Sequence, residues 1–439
     1  MKSPFRKRML RTTGAVAAAA VLAALAGCSG SQGATTLDPK AKVTIQVWSG
    51  QADAAEKIIE SLGKEFEKLH PNVTVDLSPG ASSTDQLLQK LSAGFAGDQY
   101  PDVSYAFGSW AGQLESSGRT LDITDQVKKP EVKWDEFTEA ARGTAQPSGK
   151  KTIGFPAVVD NIGLLYNKTL FDKAGLSYPT ADWTWDDFRS AAKKLTDPAN
   201  HIYGYGYSVS GSEETTWQFW PHLWQNGGSI LNKDATKAEF ASQAGVDALT
   251  FLRSMAVDDK SVYLDQTDTK FGQLFTSNRI GMITSGPWQL SDLKTGGTDY
   301  GVVPLPGTDG DHQTASGPDI WALFDHKDAN RAYWATQFAQ WLTSAEQDER
   351  FNVALGNLPL RSSEADSEAV KKEASEYPGY EVFVANSANV KNTRPTTTGY
   401  AGLSVAIGKA ISSVLQGDGE PKAALEKAAT AADTALTKK

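Results

Sequence analysis

Residues that could do covalent or metal chemistry are sparse and badly spaced. The five histidines, His70, His201, His222, His312 and His326, are scattered. No two stand four apart, as a zinc-binding helix requires. No Gly-x-Ser-x-Gly stretch marks a nucleophile elbow. The Gly-Lys pairs at 63–64, 149–150 and 408–409 all lack the spacing of a phosphate-binding loop. The 52 acids leave room for the carboxylate pair of a glycan hydrolase, but so many candidates single out none. Neither a metal nor a cofactor is expected.

Aromatic side chains are the more informative signal. There are twelve tryptophans. Trp334 and Trp341 lie on one helical stripe, which core packing explains. Trp183 suits a hydrophobic staple beside the capping pair Thr184 and Asp187. Trp217, Trp220 and Trp224 have helical spacing, so core and ligand roles both stay open. Trp288, in "SGPWQL", follows a strand directly and no helix face accounts for it. Flat rings near strand ends suit the C–H faces of sugars, with amides and carboxylates nearby to bind the hydroxyls.

The one cysteine, Cys28, stands in "LAALAGCSG". Ahead of it, Lys2, Arg6, Lys7, Arg8 and Arg11 form a basic head, and 12–27 carries no charge. That run is shorter than the ~20 apolar residues of a spanning helix and has the build of an export signal. Leu25 to Cys28 resembles the lipobox of bacterial lipoproteins, which implies cleavage before Cys28 and acylation of its thiol. A flexible tether is expected over 28–41. Removing 1–27 would take away five positive charges and move the formal charge from −9 to −14. Such an acidic body does not suggest nucleic acid as a partner.

The elements that must position these residues alternate. "KVTIQVW" and "VTVDL" have the period of strands, and 55–69 carries the three-and-four spacing of a helix. Thr84 to Phe95 reads as a helix and 101–107 as a strand. This alternation predicts a parallel sheet with helices on its faces. Further strands are expected at "RIGMIT" and "DIWALF", and helices over 328–345 and from Pro421 onward. About 400 residues after the signal exceed one ordinary core, so two lobes are expected. The segment 152–167 reads as two extended stretches parted by Val159 to Asn161, a passage between lobes.

Five stretches together resemble the sugar-binding solute-binding proteins of bacterial ABC importers. They are "FPAVVDNIGLLYNKTLFDKAG", "TWDDFRSAAKKLTD", "NRIGMITSGPWQLSDL", "YGVVPLPG" and "LPLR", in that order along 155–361. The resemblance implies an α/β, two-lobed, type II periplasmic-binding-protein-like fold with a multi-segment hinge. The expected division is 42–158 with 300–355 for lobe 1 and 159–299 with 356–439 for lobe 2. It also implies ligand contacts at Asp160, Trp217 and Trp288, and at Ser49, Gly50 and Gln51 after the first strand. Tyr105, Phe107, Gly317, Asp319 and Tyr400 fall where the family lines its cleft. Asp85 and Asn161 fit a ligand contact or a structural role equally well, and Asp319 and Trp321 read more as sheet residues.

The expected role is capture of a carbohydrate, an oligosaccharide, by a monomer without catalytic activity. An ABC permease would be the partner, and the outer face of the cytoplasmic membrane the location. Two alternatives remain: a secreted glycan-acting lipoprotein enzyme, and a binding protein for glycerol phosphodiesters or another polar solute.

Overall fold

In a computed structural model of the chain, residues 36–51, 53–81, 84–211 and 213–437 are described, except for the side chains of Asp53, Ala54, Thr84 and Asp85. The signal, Cys28 and the Asp85 side chain therefore lie outside the described residues. Ten strands follow in chain order among the rest. They are β1 (Val43–Trp48), β2 (Val73–Ser78), β3 (Val103–Ala106), β4 (Gly154–Val158), β5 (Gly163–Asn167), β6 (Tyr203–Ser208), β7 (Val262–Asp265), β8 (Ile280–Ser285), β9 (Tyr300–Val303) and β10 (Asp319–Leu323). They form two sheets, ordered β2-β1-β3-β10-β4 and β7-β6-β8-β5-β9.

The parallel sheet that the alternation predicts is present in β1, β2 and β3, and the complete sheets, with their later strands, are mixed. β1 is parallel to β2 and β3, but β10 runs antiparallel to β3 and β4. In the second sheet β6 is parallel to β7 and β8, and β5 is antiparallel to β8 and β9. The antiparallel strands are the ones that enter or leave a lobe, so local periodicity could not assign their direction.

Each sheet buries its own core. The helix Asp53–Leu69 packs beside β2 and sets Ile59, Leu62 and Phe66 into the first core, where Phe66 meets Phe338 of the helix Ala329–Leu342 at 5.1 Å. Each such buried side chain contributes about 1.5–3 kcal/mol. The second core gathers Phe188, Tyr205, Trp220 and Leu249 with Ile407 and Ile411 of the helix Tyr400–Leu415. The helix Trp185–Leu195 starts at a complete capping box: Thr184 Oγ1 accepts from the Asp187 amide, and the Thr184 amide donates to Asp187 Oδ2 at 3.0 Å.

Three crossings join the lobes and lie side by side. Between β4 and β5, Ile162 donates its amide to Ala315 at 3.3 Å, while Ser316 Oγ donates to the Asp160 carbonyl at 2.7 Å. On the other side Val159 bridges Leu358. The return to the first lobe comes later than a boundary at 300 requires. Tyr300–Val303 pairs with β5 in the second sheet, and the crossing is the stretch 304–318. Away from the hinge the lobes also touch, where Thr398 Oγ1 donates to the Gly112 carbonyl at 3.2 Å.

Candidate ligand-binding cleft

A cavity of about 570 Å³ opens between the two sheets, within the usual range for a small-molecule site. Its first wall comes from loops at the carboxyl ends of β1 and β3, where open α/β sheets expose their connections. Gln51 and Phe107 line it, with Tyr105 from the end of β3 itself. Ser49 does not reach the cavity. It is buried, donates to the Glu56 carboxylate, and accepts from the Gln51 amide at 3.2 Å, so it shapes the loop that presents Gln51. Gly50 has φ +64°, and a Cβ there would come 2.8 Å from the Tyr105 ring. Only glycine fits between strand and ring.

The floor is the hinge. Asp160 accepts from the Gly317 amide at 3.0 Å. Burial, then the nearby charge of Asp319, raises its carboxyl to about 7. Asp319, at the start of β10, accepts from the Tyr105 hydroxyl and from the Gly108 amide. Burial raises it to about 6 against the pull of Arg394. Asp319 therefore lines the cavity and is more than a sheet residue, whereas Trp321 is buried in the first core. Asn161 has a structural role. It is buried, donates to the Phe383 carbonyl at 2.9 Å, and accepts from Asn386. Gly317 also sits behind the lining: a Cβ there would come 2.6 Å from Arg394 Nη2 and 2.7 Å from the Trp217 ring.

The second wall holds Trp217, Trp288 and three acids that sequence reasoning missed, Glu213, Glu214 and Asp268. Trp288 is 37 % exposed on the rim. Trp217 is buried, with the Arg394 guanidinium over its ring at 4.3 Å. Arg394 was also missed. It donates to Glu213 at 2.9 Å and stands 3.8 Å from Asp319. Burial pulls its pKa down, and the attraction of Glu213 and Asp319 outweighs that, leaving it above its ordinary value. Burial raises Glu214 to about 7, although Gln218 donates to it at 2.6 Å. Tyr400 lies one layer back, where its hydroxyl accepts from Trp220 Nε1 and donates to Glu213, each at 3.0 Å. The doublet "EE" just before Trp217 was a readable signal for the two glutamates; "NTRPTTTGY" around Arg394 carries no periodicity that marks it.

Five carboxylates, Asp160, Glu213, Glu214, Asp268 and Asp319, thus face one described cation, Arg394. Hydrogen-bond acceptors dominate the cleft. Among the described residues no cluster of His, Cys, Asp and Glu could hold a metal ion, and no helix is long and apolar enough to cross a membrane.

The profile of the bacterial extracellular solute-binding protein family matches residues 49–349. A binding protein of Brucella abortus is 27% identical over 388 residues, covering 86% of this chain and 90% of that one. The sn-glycerol-3-phosphate-binding periplasmic protein of Agrobacterium fabrum is 24% identical over 353 residues, covering 76% of this chain and 78% of the relative. Among solved structures, the Listeria monocytogenes ABC substrate-binding protein in complex with cycloalternan superposes with a TM-score of 0.80. It is 26% identical and covers 91% of this chain and 100% of its own. Two sheets joined by three crossings, a cleft on the hinge and a profile match over most of the chain agree: the protein belongs to the bacterial extracellular solute-binding protein family.

Proposed function

We propose that the protein is the substrate-binding component of an ABC importer, that its cleft takes a neutral oligosaccharide, and that it performs no covalent chemistry. The observation that carries the ligand class is the excess of carboxylates over cations in the cleft. A carboxylate accepts hydrogen bonds when ionised and donates one when protonated, as Asp160 and Glu214 partly are near pH 7, and sugar hydroxyls both donate and accept. A phosphate ester at neutral pH brings more acceptors and negative charge. It would meet a negative field and a guanidinium already paired with Glu213 and Asp319. That weighs against the glycerol-phosphate reading, despite the relative with that ligand. The exposed ring of Trp288 adds a stacking surface.

Cleft carboxylates would also suit a glycan hydrolase. Kinship with binding proteins favours capture over cleavage, and product analysis separates the two: a bound glycan recovered unchanged supports the binding role. We place the lipid anchor on Cys28 and the protein, as a monomer, at the outer face of the cytoplasmic membrane, where it passes its ligand to the permease. A thermal-shift screen of the soluble domain tests the ligand class, using mono- and oligosaccharides beside sn-glycerol 3-phosphate and glycerophosphodiesters. Ligand at 100 times its dissociation constant adds about 2.7 kcal/mol. Stabilisation by the phosphate compounds alone would sink the carbohydrate reading.

A further inference from the structure

The cleft does not end at Trp288. A second chamber of about 660 Å³ lies beyond it, and Trp288, Glu214 and Asp268 line both spaces. The chamber is built by the second lobe alone. Its walls are the helix Lys270–Thr276 and the start of the helix Gln289–Thr295, and Ser285 at the end of β8 also lines it. Buried Phe271 contributes an apolar surface. The polar groups around it are Thr269, Gln273, Thr276, Gln289 and Asp292, with no described cation among the lining.

Resting on the carbohydrate reading above, we infer that this chamber is a further saccharide subsite, which takes the units of a longer glycan that extend past Trp288. Amides and hydroxyls both donate and accept, which matches neighbouring sugar hydroxyls. Three carboxylates, Glu214, Asp268 and Asp292, with no described cation beside them, exclude a phosphate more readily than a neutral sugar. The Trp288 ring is fixed against Gly286, where a Cβ would fall 1.9 Å from it. A fixed aromatic wall between two polar chambers can stack one sugar unit and direct its neighbours to either side.

The one-lobe construction has a consequence for mechanism. Contacts made by one lobe are present whether the lobes are open or closed, so they raise affinity without shifting that equilibrium. The first chamber, lined from both lobes, drives closure; the second lengthens the ligand that the open form can hold.

The experiment is calorimetry on the soluble domain with maltose through maltohexaose, and in parallel cellobiose through cellohexaose. Wild type and the double variant Gln273→Ala/Gln289→Ala are compared; both side chains reach solvent, so the fold should persist. In wild type, affinity should climb about tenfold or more with chain length. The variant should keep the disaccharide affinity and lose most of that gain, while scattering shows equal closure for short and long ligands. A variant that matches wild type at every length, or loses affinity equally at every length, overturns the subsite while leaving the carbohydrate reading intact. A wild type that binds neither series overturns both.

Discussion

The guanidinium of Arg394 lies over the indole of Trp217, 4.3 Å from the ring centroid. One face of that ring is therefore taken by the protein itself. Arg394 links the stretch before the helix Tyr400–Leu415 to Glu213 and to Asp319 of β10. Trp217 thus supports a charged network, while Trp288 presents its ring on the rim.

The two tryptophans should separate stability from binding. Trp217→Ala is expected to cost about 3–5 kcal/mol of stability, because a buried aromatic and the platform under Arg394 go together. Trp288→Ala should change stability by no more than about 0.5 kcal/mol and weaken the ligand by about 2 kcal/mol, roughly 30-fold. Scanning calorimetry and titration calorimetry read the two effects. Equal losses of stability in both variants would contradict the assignment.

Gly286→Ala should reproduce the binding defect of Trp288→Ala in part. The added methyl would overlap the Trp288 ring, and a rigid indole can relieve that overlap only by moving. Unchanged affinity together with an unshifted Trp288 ring in a crystal structure of the variant would refute this.

Asp160 should make stability fall as pH rises. Its carboxyl is raised by burial and by Asp319 to about 7, from an ordinary value of 3.8. Between those values the folded protein keeps a proton that the unfolded chain has lost, so this group's contribution turns unfavourable across about pH 4–7 and levels off above. Asp160→Asn should melt higher than wild type at about pH 8, with the two curves converging near pH 4. The Asn carbonyl can still accept from the Gly317 amide. A difference that stays constant across that range would count against the raised pKa.

Gly112 should control closure from outside the cleft. A Cβ at this position would lie 1.9 Å from the Thr396 carbonyl oxygen on the opposite lobe. Gly112→Val is therefore expected to wedge the lobes apart, enlarge the radius of gyration in solution scattering, and weaken ligand through the lost closed state. Scattering curves and affinities equal to wild type would exclude this contact as a closing surface.

Cys28→Ser should leave the protein without its lipid anchor, shed from the membrane or unprocessed. More than one acyl chain is needed for stable anchoring, at ~0.8 kcal/mol per buried methylene. Intact mass of the membrane-extracted wild type decides the matter, and an unmodified thiol on Cys28 would end the proposal.

Local sequence determined what depends on near neighbours. The strand alternation of Val43, Ile45 and Val47, the stripe through Ile59, Leu62 and Phe66, and the Thr184 capping box follow from spacings of two, three and four. The exposed position of Trp288 was legible because "GP" directly after a strand forbids a simple helix face. Asp160 was legible as a hinge acid because it parts two extended runs. Tertiary structure alone decided the rest. Arg394 reaches Glu213 across 181 residues of chain and Asp319 across 75, and no local pattern encodes such a meeting. It alone decided that Ser49 and Tyr400 stand behind the cleft, that Asn161 clamps the hinge, and that β10 turns antiparallel. Direction and facing at a lobe crossing depend on what the other crossings pack against, and those partners are distant in sequence.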